Sequence, residues 1–179
     1  MVGVETPTFP PKKMIQVKES QLATAAQQGM DEFLQVFTNA YLKAIRGKLT
    51  AENMALLNGA QHTLLAYRFF QDEMRDGGFV QLIQNGYGSY IFENPFAKSI
   101  KQFGAVELSK LIYKAKEIYD PNKKTLERET TDEEFNALYV DFEVFDDLEE
   151  IYFDIEEQQT ALIASYVDEH IADFAEVTT

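Results

Sequence analysis

Apolar side chains recur every three or four positions along most of this chain, which is the spacing of amphipathic helices that bury one face. The clearest example runs from Thr131 to Glu157. The apolar positions of this stretch are Phe135, Leu138, Phe142, Phe145, Leu148, Tyr152 and Ile155. This spacing predicts one long helix that begins near Thr131 or Asp132, followed by a last helix from about 158 to 175.

The opposite side of this predicted helix is acidic, because at about 100° per residue one group of carboxylates falls together there. The group consists of Glu143, Asp146, Asp147, Glu150, Asp154 and Glu157. Residues 129–157 hold 13 carboxylates, which on a helix is about one charge per 3.3 Å of axis. One strand of duplex DNA carries a charge about every 3.4 Å. The pattern therefore has two interpretations, a solvated face that keeps the protein soluble or an array that imitates DNA phosphates.

The rest of the chain has the pattern of shorter helices separated by turns at glycine and proline. Helices are predicted at about 21–28, 31–45, 60–74, 79–84, 96–102 and 105–119. The segment Asp120-Pro121-Asn122 is predicted to be a turn. Gly77 and Gly78 are predicted to end the helix before them, since glycine tolerates positive φ and a sharp exit.

The fold class that follows is an all-α single domain. Residues 14–179 form the predicted helical domain, with a short strand or a helix lead at about 14–17. Residues 1–13 hold three prolines and show no periodicity, so we expect an extended or disordered arm there. A chain of 179 residues with 45% hydrophobic content is long enough and apolar enough to bury a core.

Charge is unevenly distributed along the chain. The formal net charge is −14, and residues 129–179 hold 17 of the 30 acidic residues and none of the 16 Lys and Arg residues. Such a protein repels nucleic acid and anionic membranes and favours basic partners. We therefore expect no direct binding of nucleic acid and no membrane association. A membrane span is not expected either, because no apolar run reaches the roughly 18 residues that it needs.

Candidate catalytic groups are few. Cysteine is absent, which excludes disulfides and thiolate chemistry and fits a cytoplasmic protein. Glu73 and Asp76, near Gln81 or Asn85, are candidates for a polar pocket in which two carboxylates share acid and base roles. No nucleophile–base pair, histidine-rich metal set or calcium-binding loop accompanies them, and the 2 histidines are interpreted as surface or capping residues. We expect no cofactor and no metal.

A glycine–aromatic motif carries a family resemblance. Its residues are Gly77, Gly78, Phe79, Gln81, Asn85 and Gly88. Together with the segments at 145–153 and 166–174, the motif makes the chain similar to the bacterial acidic DNA-mimic protein family, which was first catalogued as a domain of unknown function. The likeness covers about residues 51–174, and Asp76 stands where the family pattern has Asn.

This resemblance implies an all-α fold, a homodimer and an acidic surface that imitates DNA phosphates and so occupies a basic DNA-binding protein, such as a transcription regulator. The six carboxylates from Glu143 to Glu157 are the candidate partner-binding residues, and the glycine–aromatic motif is a candidate structural element. One alternative is a binding or immunity-type protein whose acidic face serves solubility alone. A hydrolase or a metal-dependent enzyme is the third interpretation.

Overall fold

The chain folds mostly into helices, as the apolar spacing predicts. The structure, a computed structural model, describes residues 14–179, so the arm predicted at 1–13 lies outside the described residues. The helices are α1 (Glu19–Gln28), α2 (Met30–Ala44), α3 (Ala51–Met54), α4 (Gly59–Asp76), α5 (Gly78–Gln84), α6 (Phe96–Gln102), α7 (Val106–Glu127), α8 (Asp132–Asp141), α9 (Asp146–Glu169) and α10 (Ile171–Phe174). A π-helix at Ser89–Glu93, a 3₁₀ turn at Glu143–Phe145 and the strands β1 (Gln16–Lys18) and β2 (Glu176–Thr178) complete the elements. The all-α fold class is thereby confirmed.

A group of aromatic side chains in the core joins α4, α5 and α9. The ring centroid of Phe70 lies 5.9 Å from that of Phe79 and 4.9 Å from that of Tyr152, and all three side chains are fully buried. Phe79 also stacks on Phe145 with the ring centroids 5.1 Å apart. Each fully buried Phe side chain stabilises the fold by about 1.5–3 kcal/mol. The core therefore holds α9 against α4 and α5.

Helix α7 is longer than predicted and runs through Pro121. The turn predicted at Asp120-Pro121-Asn122 is wrong, because α7 continues to Glu127. Proline inside a helix costs about 3 kcal/mol. The last turns of α7 offset part of this cost by placing Leu126 in the core without exposed surface, and the Gln84 side chain donates a hydrogen bond to the Leu126 carbonyl. Tertiary contacts therefore stabilise α7 beyond Pro121, although proline normally ends a helix.

The acidic segment is not the single helix that was predicted. Helix α8 ends at Asp141, Phe142 leaves the helical region with φ −115° and ψ 34°, and the 3₁₀ turn leads into α9. A straight helix over 132–169 would be about 57 Å long, whereas a domain of this size is about 40 Å across. The break therefore keeps Leu138 and Phe145, on either side of it, in one core.

The helix boundary predicted near residue 158 is also wrong. Helix α9 runs from Asp146 to Glu169 without interruption, because Thr160, Ile163 and Val167 continue its buried side. The chain then turns at His170, and the short helix α10 ends at Phe174. The acidic residues and the predicted last helix thus belong largely to one element.

The two ends of the described chain pair as a short parallel sheet. Gln16 is in register with Glu176, and Lys18 with Thr178. The predicted N-terminal strand is therefore present, one to two residues further along the chain. Its partner strand was not predicted, because three residues are too few to show an alternating pattern.

Of the two glycines that follow α4, Gly78 has a positive φ of +81°, whereas Gly77 has a φ of −159°. The two glycines therefore end α4 as predicted, but only Gly78 supplies the positive φ. Gly77 is restricted by space instead, because a Cβ there would overlap the Gln81 side chain. A Cβ at Gly78 would meet the Glu149 carboxylate of α9. Gly78 thus combines the two constraints, backbone conformation and close approach.

We expect Gly78→Ala to destabilise the protein more than Gly86→Ala. Both glycines have positive φ, +81° and +90°, which costs a residue with a Cβ about 1–2 kcal/mol. The space around Gly86 is open, however, whereas Gly78 faces Glu149. Urea denaturation measures the two free energies of unfolding. Replacing Glu149 with Ala in both variants should make the two losses of free energy of unfolding similar. Equal losses with Glu149 present would contradict a steric effect of Glu149 at Gly78.

Candidate functional site

The six carboxylates predicted to bind a partner all lie at the surface. Glu143 belongs to the 3₁₀ turn that precedes α9, and the other five lie on α9 itself. These residues, all of them exposed, are Glu143, Asp146, Asp147, Glu150, Asp154 and Glu157. We call them the carboxylate face. The five members on α9 project within an arc of about 100° around the helix axis, so the structure brings the predicted residues together.

The carboxylate face has no internal counter-charge in the part of the chain that the structure describes. None of its members forms an ion pair with residues 14–179, and no Lys or Arg follows Arg128 in the sequence. Asp146 and Glu157 are about 16 Å apart along the helix axis. The five charges on α9 therefore follow one another at an average of about 4 Å along the helix axis, compared with roughly 3.4 Å along one DNA strand.

Two glutamates of α9 point inward, and the first of them is Glu149. Its carboxylate accepts a hydrogen bond of 2.9 Å from the backbone N–H of Phe79. Phe79 lies in the first turn of α5, where N–H groups have no partner within the helix. Burial raises the pKa of Glu149 above its ordinary value, the charge of Asp146 raises it further, and the Phe79 hydrogen bond opposes the rise. Glu149 thus joins α9 to the start of α5.

Glu156 makes the second inward contact. The guanidinium of Arg75 on α4 bonds to Glu156 and, at 3.0 Å, to Asp31 on α2. Next to this group, the hydroxyl of Thr160 is hydrogen-bonded to the buried hydroxyl of Tyr67. One cation therefore joins three helices, and the inward carboxylates of α9 are satisfied within the protein while the outward ones are not.

No role for Glu149 or Glu156 was predicted from the sequence. Helical spacing left both glutamates out of the group of six carboxylates, but it did not show what they contact. A signal was present, because the two glutamates are seven positions apart and therefore lie within about 20° of each other on the helix. Both also flank the predicted buried position Tyr152, which is the place where a charged side chain needs a partner.

The amide side chains of the glycine–aromatic motif hold the two carboxylates that were considered as catalytic groups. The Gln81 amide donates to Glu73 at 3.1 Å and to Asp76 at 2.6 Å. The Asn85 amide donates to Glu73 at 2.9 Å. In this arrangement the carboxylates serve as acceptors that tie α4 to α5, and the geometry favours a structural role over acid–base chemistry.

The glycines of the motif allow close approach of neighbouring elements. The hydroxyl of Tyr139 on α8 donates to the Gly77 carbonyl at 2.9 Å. A Cβ at Gly88 would lie 3.0 Å from the ring of Tyr119 on α7. Together with the Phe79–Glu149 bond, these contacts place α7, α8 and α9 around the motif, so the motif positions the helix that carries most of the carboxylate face.

Both histidines have partners that account for them structurally. The ring nitrogens of His62 lie 2.8 Å from the Tyr90 hydroxyl and 2.7 Å from the Met54 carbonyl, and Nδ1 of His170 lies 2.7 Å from the Tyr166 carbonyl. Among the residues that the structure describes, no group of three or more His, Asp or Glu side chains is arranged to hold a metal ion. Over the same residues, no helix has both the length and the apolar composition to cross a membrane.

The structure thus combines an all-α domain with an exposed carboxylate face of one sign, none of whose members is ion-paired with residues 14–179. The chain belongs to the DMP19-like protein family, whose model matches residues 55–170. It is similar to the DNA mimic protein DMP19 of Neisseria meningitidis serogroup B (strain ATCC BAA-335 / MC58), with 32% identity over 152 residues, which is 84% of this chain and 92% of that relative. The resemblance drawn from the glycine–aromatic motif is confirmed.

Proposed function

We propose that this protein imitates DNA, binding a basic DNA-binding protein through its carboxylate face and so keeping that protein from DNA. The observation that carries the proposal is the exposure of all six carboxylates, none of which is ion-paired with residues 14–179. The name of the relative DMP19, a DNA mimic protein, supports the same class of function. The partner is a protein that neutralises phosphates with Lys and Arg, such as a transcription regulator.

Unpaired like charges on one face have an energetic cost that a partner can remove. Residues such as Glu150 and Asp154, four positions apart on α9, repel each other by a few tenths of a kcal/mol. The fold tolerates this cost because the other side of α9 buries Leu148, Tyr152 and Ile163. A cationic partner replaces repulsion by attraction, and the resulting complementarity favours fast and selective association.

The carboxylate face lies on a helix that tertiary contacts hold in place, and this favours mimicry over a role in solubility alone. A face that only keeps a protein soluble needs charge but no fixed geometry. Here the inward side chains Glu149 and Glu156 join α9 to the rest of the domain, through a hydrogen bond from the Phe79 N–H and an ion pair with Arg75. A partner that binds an array already in place loses less conformational entropy on binding.

The variant that tests the proposal combines Glu150→Gln, Asp154→Asn and Glu157→Gln. Asp146 and Asp147 are left unchanged, because they lie in the first turn of α9, where a negative charge stabilises the helix by about 0.3–1 kcal/mol. The partner is first captured from a lysate of the source bacterium on the wild-type protein and is then purified. We expect the triple variant to bind it about a hundredfold more weakly in calorimetry, at about 1 kcal/mol per lost pair, and with a shallower dependence on salt.

A matched control removes three exposed carboxylates outside the carboxylate face. It combines Glu117→Gln, Glu129→Gln and Glu169→Gln, three positions that are also exposed, and it changes the net charge by the same amount. The control should bind as the wild type does, and thermal denaturation should show that both variants fold. Equal weakening in both variants, or undiminished binding by the first, would contradict the proposal.

We also propose that the protein is a homodimer. Met14 and Leu56, 49% and 48% exposed, line a largely apolar groove of about 490 Å³ next to β1 and α2, and apolar surface of this kind is common at protein interfaces. Sedimentation at micromolar concentration should show a species of twice the chain mass of 20.5 kDa. A single species of 20.5 kDa would contradict the proposal.

A further inference from the structure

Exposed apolar side chains lie along both edges of the carboxylate face. Phe153 is 50% exposed, Ile151 is 42% exposed and Leu162 is 39% exposed. On the helical projection of α9, Phe153 lies about 20° beyond one edge of the face, whereas Ile151 and Leu162 lie about 40–60° beyond the other edge. Single exposed apolar residues are ordinary, but these three border one charged band on both sides.

The Phe153 side chain also lines a small cavity beside the carboxylate face. The cavity has a volume of about 260 Å³, and its lining includes Met30, Glu157 and the Arg75–Glu156 pair. One member of the carboxylate face therefore shares a depression with two apolar side chains. Such a place suits a Lys or Arg side chain, which combines an apolar stem with a cationic head.

We infer that the carboxylate face and its apolar edges together dock a basic amphipathic helix of the partner protein. This inference rests on the proposed function and specifies how the partner is recognised. Lys and Arg side chains of the docked helix meet the carboxylates, and its flanking apolar side chains contact Ile151 on one edge and Phe153 on the other. The carboxylate face runs along α9, and its side chains form ridges on the helix surface. Another helix can pack on such ridges with the two axes about 8–10 Å apart.

The apolar edges give the protein a means of choosing among basic proteins. A row of phosphates attracts any sufficiently basic surface, and this attraction weakens as salt rises. Contacts of apolar side chains with Ile151 and Phe153 do not depend on charge. A partner with apolar residues beside its basic stripe therefore binds better than a partner with the basic stripe alone.

Two synthetic helical peptides of about 20 residues test this inference. Both are alanine-based and carry the same lysines along one stripe, and one peptide also carries two leucines that flank the stripe. We expect the wild-type protein to bind the leucine-bearing peptide roughly tenfold more tightly in calorimetry. This ratio should persist as salt is raised, while both affinities fall.

Ile151→Ser and Phe153→Ser should each reduce the tenfold ratio, and together they should remove most of it, because they weaken binding of the leucine-bearing peptide far more than binding of the lysine-only peptide. Both side chains are largely exposed, so the variants should fold, which thermal denaturation checks. The matched control is Tyr113→Ser, at a 48% exposed position of α7, and it should keep the ratio.

Equal binding of the two peptides by the wild type would overturn the inference, and so would a tenfold ratio that survives in the double variant. Sedimentation in which Phe153→Ser converts a dimer into a single chain would also overturn it, because a second copy would then cover this edge. Failure of the proposed function would give a different result from failure of this inference. The variant that combines Glu150→Gln, Asp154→Asn and Glu157→Gln would then bind the lysine-only peptide as tightly as the wild type does. That result would contradict the inference as well, because the inference rests on the proposed function.

Discussion

Helix α9 must bury one side and hold unpaired negative charge on the other, and the arrangement of the neighbouring helices depends on this constraint. Its inner side places Tyr152 in the core without exposed surface, while Phe79 and Arg75 satisfy the two inward glutamates. Full burial of an apolar side chain such as Ile163, on the same side of α9, stabilises the fold by about 1.5–3 kcal/mol, whereas each like-charged pair costs a few tenths. The inner side therefore keeps the outer charges in a fixed array.

The parts of the structure that depend on local spacing could be predicted from the sequence. All six predicted carboxylates are exposed, because the period of 3.6 residues decides which side chains share a face. Helix α6 has the predicted bounds, since Pro95 suits the position before a helix and a glycine with positive φ, Gly104, follows its end. In both cases the residues that decide the outcome lie within a few positions of one another.

The features that sequence reasoning missed depend on contacts between distant parts of the chain. Helix α7 passes Pro121 because Leu126 is buried against other elements. The break at Phe142 follows from the size of the whole domain, and β1 pairs with a strand about 160 positions away. The inward roles of Glu149 and Glu156 likewise require the positions of Phe79 and Arg75, which local periodicity does not contain.

The central claim is that the carboxylate face occupies the surface with which its partner binds DNA. The most direct test is a competition titration, in which the captured and purified partner is bound to fluorescent duplex DNA and this protein is added. The claim predicts that the protein displaces the DNA completely and that its apparent affinity falls in proportion to the DNA concentration. A ternary complex, in which the DNA stays bound while the protein binds the partner, would contradict the claim.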